Sequence, residues 1–173
     1  IDNLDKNIEV INRGISGNRI SDLHSRWKED CIDLKPTVLS ILVGINDLNY
    51  HFETGSAPTP EKYSETYRSI LDRALSQNPD LFIVIMEPFF GVSENKEFSD
   101  FMQTNVGRYA AEARKIADEY NAVFVPLQDM FDEYAKNTDI FQLLWDGVNP
   151  TTGGHLLVPK RWKECVEEKL NAR

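Results

Sequence analysis

Thr37-Val38-Leu39-Ser40-Ile41-Leu42-Val43-Gly44-Ile45-Asn46-Asp47 begins as a run of Val, Ile and Leu just after Lys35-Pro36 and stops on Gly-Ile-Asn-Asp. A short apolar run bounded by turn signals reads as a strand buried in a parallel sheet. Ligands of open α/β sheets bind outside the carboxyl ends of the strands. A strand ending in Gly and two short polar side chains therefore places an amide and a carboxylate at the rim of a candidate site. Gly, Asn and Asp are also ordinary turn residues, so neighbouring stretches must separate a site from a plain turn.

On the amino-terminal side, Asn7-Ile-Glu-Val-Ile-Asn12 alternates apolar and polar residues and reads as a short strand. A glycine-punctuated loop, Arg13 to Asn18, follows. Ile20, Leu23, Trp27, Cys31 and Leu34 then recur at spacings of three and four, one face of an amphipathic helix. On the carboxyl side, residues 48–60 read as a loop containing Gly55, Pro58 and Pro60, with Pro60 suited to the first turn of a helix. That helix carries Tyr63, Tyr67, Ile70, Leu71 and Ala74 and ends at Asn78-Pro79-Asp80. Leu81 to Met86 is a second buried strand, followed by the loop Glu87 to Gly91.

Phe98, Phe101, Met102, Tyr109, Ala113, Ile116 and Tyr120 keep helical spacing over about six turns. Ala122 to Val125 is a third apolar strand, and a helix is predicted over 127–136. An apolar stretch containing Phe141, Leu144 and Trp145 leads into Asp146-Gly-Val-Asn-Pro-Thr-Thr-Gly-Gly-His155. The last helix carries Trp162, Val166 and Leu170. Pro159 either kinks this helix or stands in its first turn. Strands alternating with helices imply one α/β domain over residues 1–173, a parallel sheet covered on both faces.

The chain has 173 residues, 41% hydrophobic and 27% charged, with a net charge of −9. That charge argues against a nucleic-acid or anionic-membrane surface. No apolar run approaches the ~20 residues that span a bilayer. Cys31 and Cys165 are isolated and make no metal, redox or disulfide pattern, and the three histidines are far apart, so no metal site is suggested. There is no Gly-x-Gly-x-x-Gly after a strand and no Lys in a glycine loop, which argues against a flavodoxin-like nucleotide binder.

Three polar loops thus lie near the carboxyl ends of strands: Gly14 to Asn18, Gly44 to Asp47, and Asp146 to His155. Together they resemble the blocks of the SGNH, or GDSL-type, esterases and lipases. Ile15-Ser16-Gly17-Asn18 looks like the family's second block. Gly44-Ile45-Asn46-Asp47 matches its third, Gly-x-Asn-Asp. Asp146 to His155 matches its last, Asp-x-x-His-Pro, except at one position. The resemblance runs from about Ile8 to Leu170.

It implies a flavodoxin-like three-layer α/β/α sandwich and hydrolysis of a carboxylic ester by a Ser-His-Asp triad. It assigns the Gly17 backbone N–H and the Asn46 amide to the oxyanion hole and Asp146 to the triad acid. Ser16, Asn18 and Trp145 are expected to face the substrate, a small ester such as an acylated carbohydrate or lipid. Asp47 is expected to bond backbone near the loop. Tyr50, Phe52, Phe89 and Phe90 are further loop residues near the rim, whereas Phe141 and Leu144 are expected to cap the core. No cofactor is required. Oligomeric state and compartment stay open.

Two signatures of the family are missing. The Gly-Asp-Ser nucleophile block should end a central strand one helix before Ile8. A strand and a helix take about 20 residues, so this segment is expected to lie outside the chain. The strands at 8–11 and 38–43 should then not be hydrogen-bonded neighbours. Of the serines present, Ser16 falls in the glycine block, Ser40 inside a strand and Ser56 in a loop without a base motif. The second departure is Asn149, which stands where the family has its catalytic histidine. An amide takes no proton near neutral pH, so the chain as written is expected to be inactive. His155, six positions on, resembles a histidine that is usually structural. The alternative reading is a binding module that keeps the cleft and holds an acylated ligand without cleaving it.

Overall fold

The computed structural model describes residues 8–56 and 59–171. Helix α1 (Ile20–Trp27) continues as a π-helical turn, Lys28–Ile32, which buries Cys31. Strand β1 (Val38–Leu42) is followed by α2 (Ile45–Thr54) and α3 (Pro60–Gln77). Thr59 caps α3 by accepting from Lys62 N, with Pro60 at the first helical position. Then come β2 (Phe82–Met86), α4 (Lys96–Glu119), β3 (Val123–Val125), α5 (Gln128–Ala135) and α6 (Thr152–Asn171).

Among the described residues the three strands form one parallel sheet in the order β1-β2-β3. Val38 to Leu42 pair with Phe82 to Met86, and Val84 to Met86 with Val123 to Val125. Side chains alternate across a strand, and the two faces meet different helices. Ile41, Val43, Ile83 and Ile85 join Trp27, Tyr63, Tyr67, Ile70, Met102 and Ile116 in a core under α1, α3 and α4. Val84, Val123 and Val125 join Leu127, Phe131, Leu143, Leu144 and Val166 under α5 and α6. Helices therefore cover both faces, as the alternating pattern predicts.

β1 is the exception to that cover. It pairs with β2 on one side, and among the described residues no strand pairs with its other edge. On the α5–α6 face Val38 is 50% and Leu42 44% exposed. There Trp162 of α6 reaches across and donates Nε1–H to Ser40 Oγ at 2.7 Å.

Two expectations need correction, and one of the two readings of Pro159 falls away. Residues 8–15 form no strand, and Ile8, Val10 and Ile11 are exposed; Asn7 lies outside the described residues. Alternation alone makes no ladder, because a strand needs a neighbour to take its N–H and C=O groups. Val10 accordingly does not pair with β1. Residues 48–54, read as loop, belong to α2. Ile45, Leu48 and Phe52 have helical spacing, and Gly55 ends the helix in the left-handed conformation with φ +66°; Pro58 lies outside the described residues. α6 starts at Thr152 and runs through Pro159.

The loop before α6 depends on one glycine. Gly147 has φ +89°, and an added Cβ would meet Val92 O at 2.7 Å and Phe90 Cε2 at 2.8 Å. Gly147→Ala combines backbone strain with a forced shift of neighbouring backbone. It is expected to cost about 1–3 kcal/mol, read as a lower urea midpoint at unchanged m-value.

Candidate active site

β1 ends at Leu42, and Val43-Gly44 turns the chain directly into α2. Gly44 has φ +126°, and a Cβ there would meet Tyr63 Oη at 3.2 Å and Pro88 Cβ at 3.3 Å. This tight turn brings Asn46 and Asp47 into the first turn of α2, at the carboxyl end of the sheet. The half-buried Asn46 donates Nδ2–H to Asn18 O at 3.2 Å. A primary amide has two N–H groups, so this bond orients the side chain and leaves a second donor.

Asn18 closes the turn that holds Ser16 and Gly17, its N–H donating to Ile15 O at 3.2 Å. Gly17 has φ +82° and is exposed, as is Ser16. The glycine and Asn-Asp blocks, 28 residues apart, thus meet through Asn46 and Asn18. Asn18 Oδ1 accepts from Arg26 Nε at 2.9 Å, so that side chain serves α1. The Arg19 guanidinium lies 4.2 Å above the Tyr50 ring.

The Asp146 loop stands on the end of β2. Gly91 N–H donates to Gly147 O at 2.8 Å, and Gly147 lies against Phe90. Since Pro88 in the same β2 loop borders Gly44, both polar clusters rise from one end of the sheet. Asp146 Oδ1 accepts from Val148 N at 3.0 Å and Asn149 N at 2.8 Å, and Oδ2 accepts from Asn149 Nδ2 at 2.8 Å. Burial works to raise the Asp146 carboxyl, but these bonds outweigh it and hold the group below the usual carboxylate range. Asp146 therefore stays charged at neutral pH while holding the side chain at position 149. Trp145 is 71% exposed beside it. Its backbone N–H donates to Asn149 O at 2.8 Å.

Residues 2–157 match the model of the GDSL-like lipase/acylhydrolase family. The chain belongs to this family. It is 34% identical over 155 residues to an acetylxylan esterase of Geobacillus stearothermophilus, covering 88% of this chain and 69% of that protein. A solved structure of an acetylxylan esterase from the same organism superposes with a TM-score of 0.77 at 31% identity, over 88% of this chain and 69% of the other. A GDSL-like lipase of Parabacteroides merdae superposes with a TM-score of 0.83 at 35% identity, over 89% and 71%. The parallel sheet with helices on both faces is thus the SGNH hydrolase fold.

Among GDSL features, the sequence reading missed the depth of Asp47, which is fully buried and accepts from Ile20 N at 3.1 Å through Oδ2 and 3.3 Å through Oδ1. The signal was Leu48, its buried neighbour one step along the first turn of α2. Of the rim aromatics, Phe89 and Phe90 are buried and Tyr50 is exposed on α2. Leu144 is core, as expected, but Phe141 is 38% exposed. His155 lies in the first turn of α6, exposed, while the Asp146 carboxylate is bonded within its own loop. Cys31 and Cys165 are free thiols. Among the described residues no cluster of His, Cys, Asp and Glu could hold a metal ion, and no helix is long and apolar enough to cross a membrane.

Proposed function

We propose that this site is the acid and oxyanion half of a carboxylic ester hydrolase directed at acetylated carbohydrate, with Asn149 in place of the general base. Asp146 would be the triad acid. The Gly17 N–H and the second Asn46 N–H would meet the carbonyl oxygen as it becomes an oxyanion, and Trp145 would offer its ring to a sugar. The observation that carries the reading is the bond from Asn149 Nδ2 to Asp146 Oδ2, the contact an imidazole N–H makes to the acid of a triad. Catalytic mutants of the Geobacillus acetylxylan esterase replace a serine, a histidine and an aspartate, the last two three positions apart like Asp146 and Asn149. A further variant of that enzyme alters the tryptophan just before the aspartate, where this chain has Trp145.

In this mechanism a serine Oγ attacks the ester carbonyl and loses its proton to the base. An amide nitrogen has no basic lone pair, so with Asn149 the proton has no acceptor and the step stalls. Ser40 is tied to Trp162 inside β1, and Ser16 is at the oxyanion turn. The serine would instead come on a strand laid along the open edge of β1, whose carboxyl end points at Asn46.

Calorimetric titration with an acetylated xylo-oligosaccharide and its deacetylated form tests the reading. The acetylated form is expected to bind at least ~10-fold more tightly, about the contribution of one buried hydrogen bond. Asn46→Ala should erase that preference. Equal binding of the two forms would reject the ester-directed site. Acetate release by the unchanged chain at ordinary enzyme rates, around 10 s⁻¹, would reject the silencing role of Asn149.

A further inference from the structure

The loop from Ile15 to Arg19 is exposed up to Gly17, yet the proposed oxyanion hole needs its Gly17 N–H held to a fraction of an ångström. Its own closure is one turn bond, Asn18 N–H to Ile15 O. Two contacts from α2 hold it from below. Asn46 Nδ2–H reaches Asn18 O, and both carboxyl oxygens of Asp47 take the Ile20 N–H. Ile20 is the first residue of α1, and its N–H is one of the four at a helix start that have no partner inside the helix. Asp47 is fully buried.

We propose that Asp47 is the positioning residue of the oxyanion loop: by gripping the first N–H of α1 it fixes Gly17 and Asn18 against Asn46. The inference rests on the reading of that loop as an oxyanion donor. It assigns adjacent residues of α2 to the two sides of Arg19, Asn46 to the Asn18 carbonyl before it and Asp47 to the Ile20 N–H after it.

The grip depends on charge. An ionised carboxylate accepts with both oxygens, whereas the protonated acid turns one of them into a donor facing an N–H. Groups on three helices face Asp47. Asp22 and Arg19 lie at the start of α1, where Asp22 Oδ2 accepts from Arg19 N at 2.9 Å. Tyr63 comes from α3, bonded to Val43 O, and Tyr109 from α4. Arg19 favours the ionised form and Asp22 opposes it, while burial is the larger effect and pushes the carboxyl up to about 7. Protonation near neutral pH should therefore loosen Gly17 and Asn18 as well as Ile20.

Amide ¹H–¹⁵N spectra of the unliganded chain across pH 5 to 9 test this. In the parent, the Gly17, Asn18 and Ile20 amides should titrate together with a midpoint near 7. Asp47→Asn keeps an acceptor oxygen but cannot ionise. It should leave these peaks near their low-pH positions, since an amide, like the protonated acid, sets a donor beside its one acceptor oxygen, and abolish the titration. Titration caused by any other group would persist in that variant. Asp47→Ala, where it folds, should shift all three peaks and speed Ile20 N–H exchange at least ~10-fold, the loss of one buried hydrogen bond. If only Ile20 responds and Gly17 and Asn18 stay fixed in parent and variants, Asp47 merely caps α1 and the proposal fails. These spectra need no ligand. Failure of the acetylated oligosaccharide to bind would strike the ester reading and leave the positioning role standing.

Discussion

Asn149→His should raise ester hydrolysis by about 10⁴–10⁶-fold in a chimera that carries the amino-terminal strand and serine of the Geobacillus acetylxylan esterase. The upper figure is the loss on removing the triad histidine of subtilisin. The chimera supplies the Gly-Asp-Ser block that the chain does not show, since the relative's catalytic serine lies near its amino terminus. The geometry favours a full gain. Asn149 is held by Asp146 through side chain and backbone alike, so an imidazole there meets a charged carboxylate already in place. Acetate release from acetylated xylo-oligosaccharide is the measurement, with the unsubstituted chimera as baseline. Adding Asp146→Ala to the substituted chimera should remove about 10⁴ of the gain, by the same comparison. A chimera as fast with Asn149 as with histidine would show that the proton goes elsewhere, with His155 the next residue to substitute.

The apolar runs at 81–86 and 122–125 were legible because a strand covered on both faces leaves little choice of residue, the run at 38–43 because it is apolar although one face of β1 is exposed, and the two long helices because their buried faces recur at helical spacing. α2 was not. Its start is a glycine-Asn-Asp turn and its middle carries Asn49, Tyr50 and His51, so turn composition masked the spacing of Ile45, Leu48 and Phe52. The stretch 8–12 failed for the opposite reason. Its alternation is that of a strand, but pairing is a property of two segments, and no described segment pairs with it. That Gly17 and Asn46, and Asp146 and the residue at 149, belong to one site was an expectation from motif resemblance; the bonds of Asn46 to Asn18 and of Asn149 to Asp146 were not expected from the sequence. Composition and period say nothing about which loops meet 28 residues apart. The burial of Asp47 was hidden because an aspartate after a glycine reads as an exposed turn residue until the helix that turns it inward is known.

That buried aspartate should also make the stability of the chain fall as pH rises through neutrality. Burial raises the Asp47 carboxyl from 3.8 to about 7, outweighing the Ile20 N–H and the Arg19 guanidinium. In the unfolded chain the group returns to about 3.9. Between these values the folded state holds a proton that the unfolded state has lost, so stability decreases with pH. The contribution is fully present below about pH 4 and is gone once pH has passed the folded value. At about 1.4 kcal/mol per unit, three units amount to about 4 kcal/mol, a large share of the ~5–15 kcal/mol of a typical domain. Roughly 2–3 kcal/mol of this falls between pH 5 and 9, where urea denaturation is practicable. Asp47→Asn cannot ionise, so the parent's stability should drop by that amount relative to the variant across the range. Taking the difference between the two proteins cancels the histidines and every other group they share. Parallel pH profiles would mean that Asp47 is ionised at little cost throughout, with water or a rearranged Arg19 reaching it. A steeper fall in the variant would reverse the sign and require a carboxylate stabilised by folding, as at Asp146.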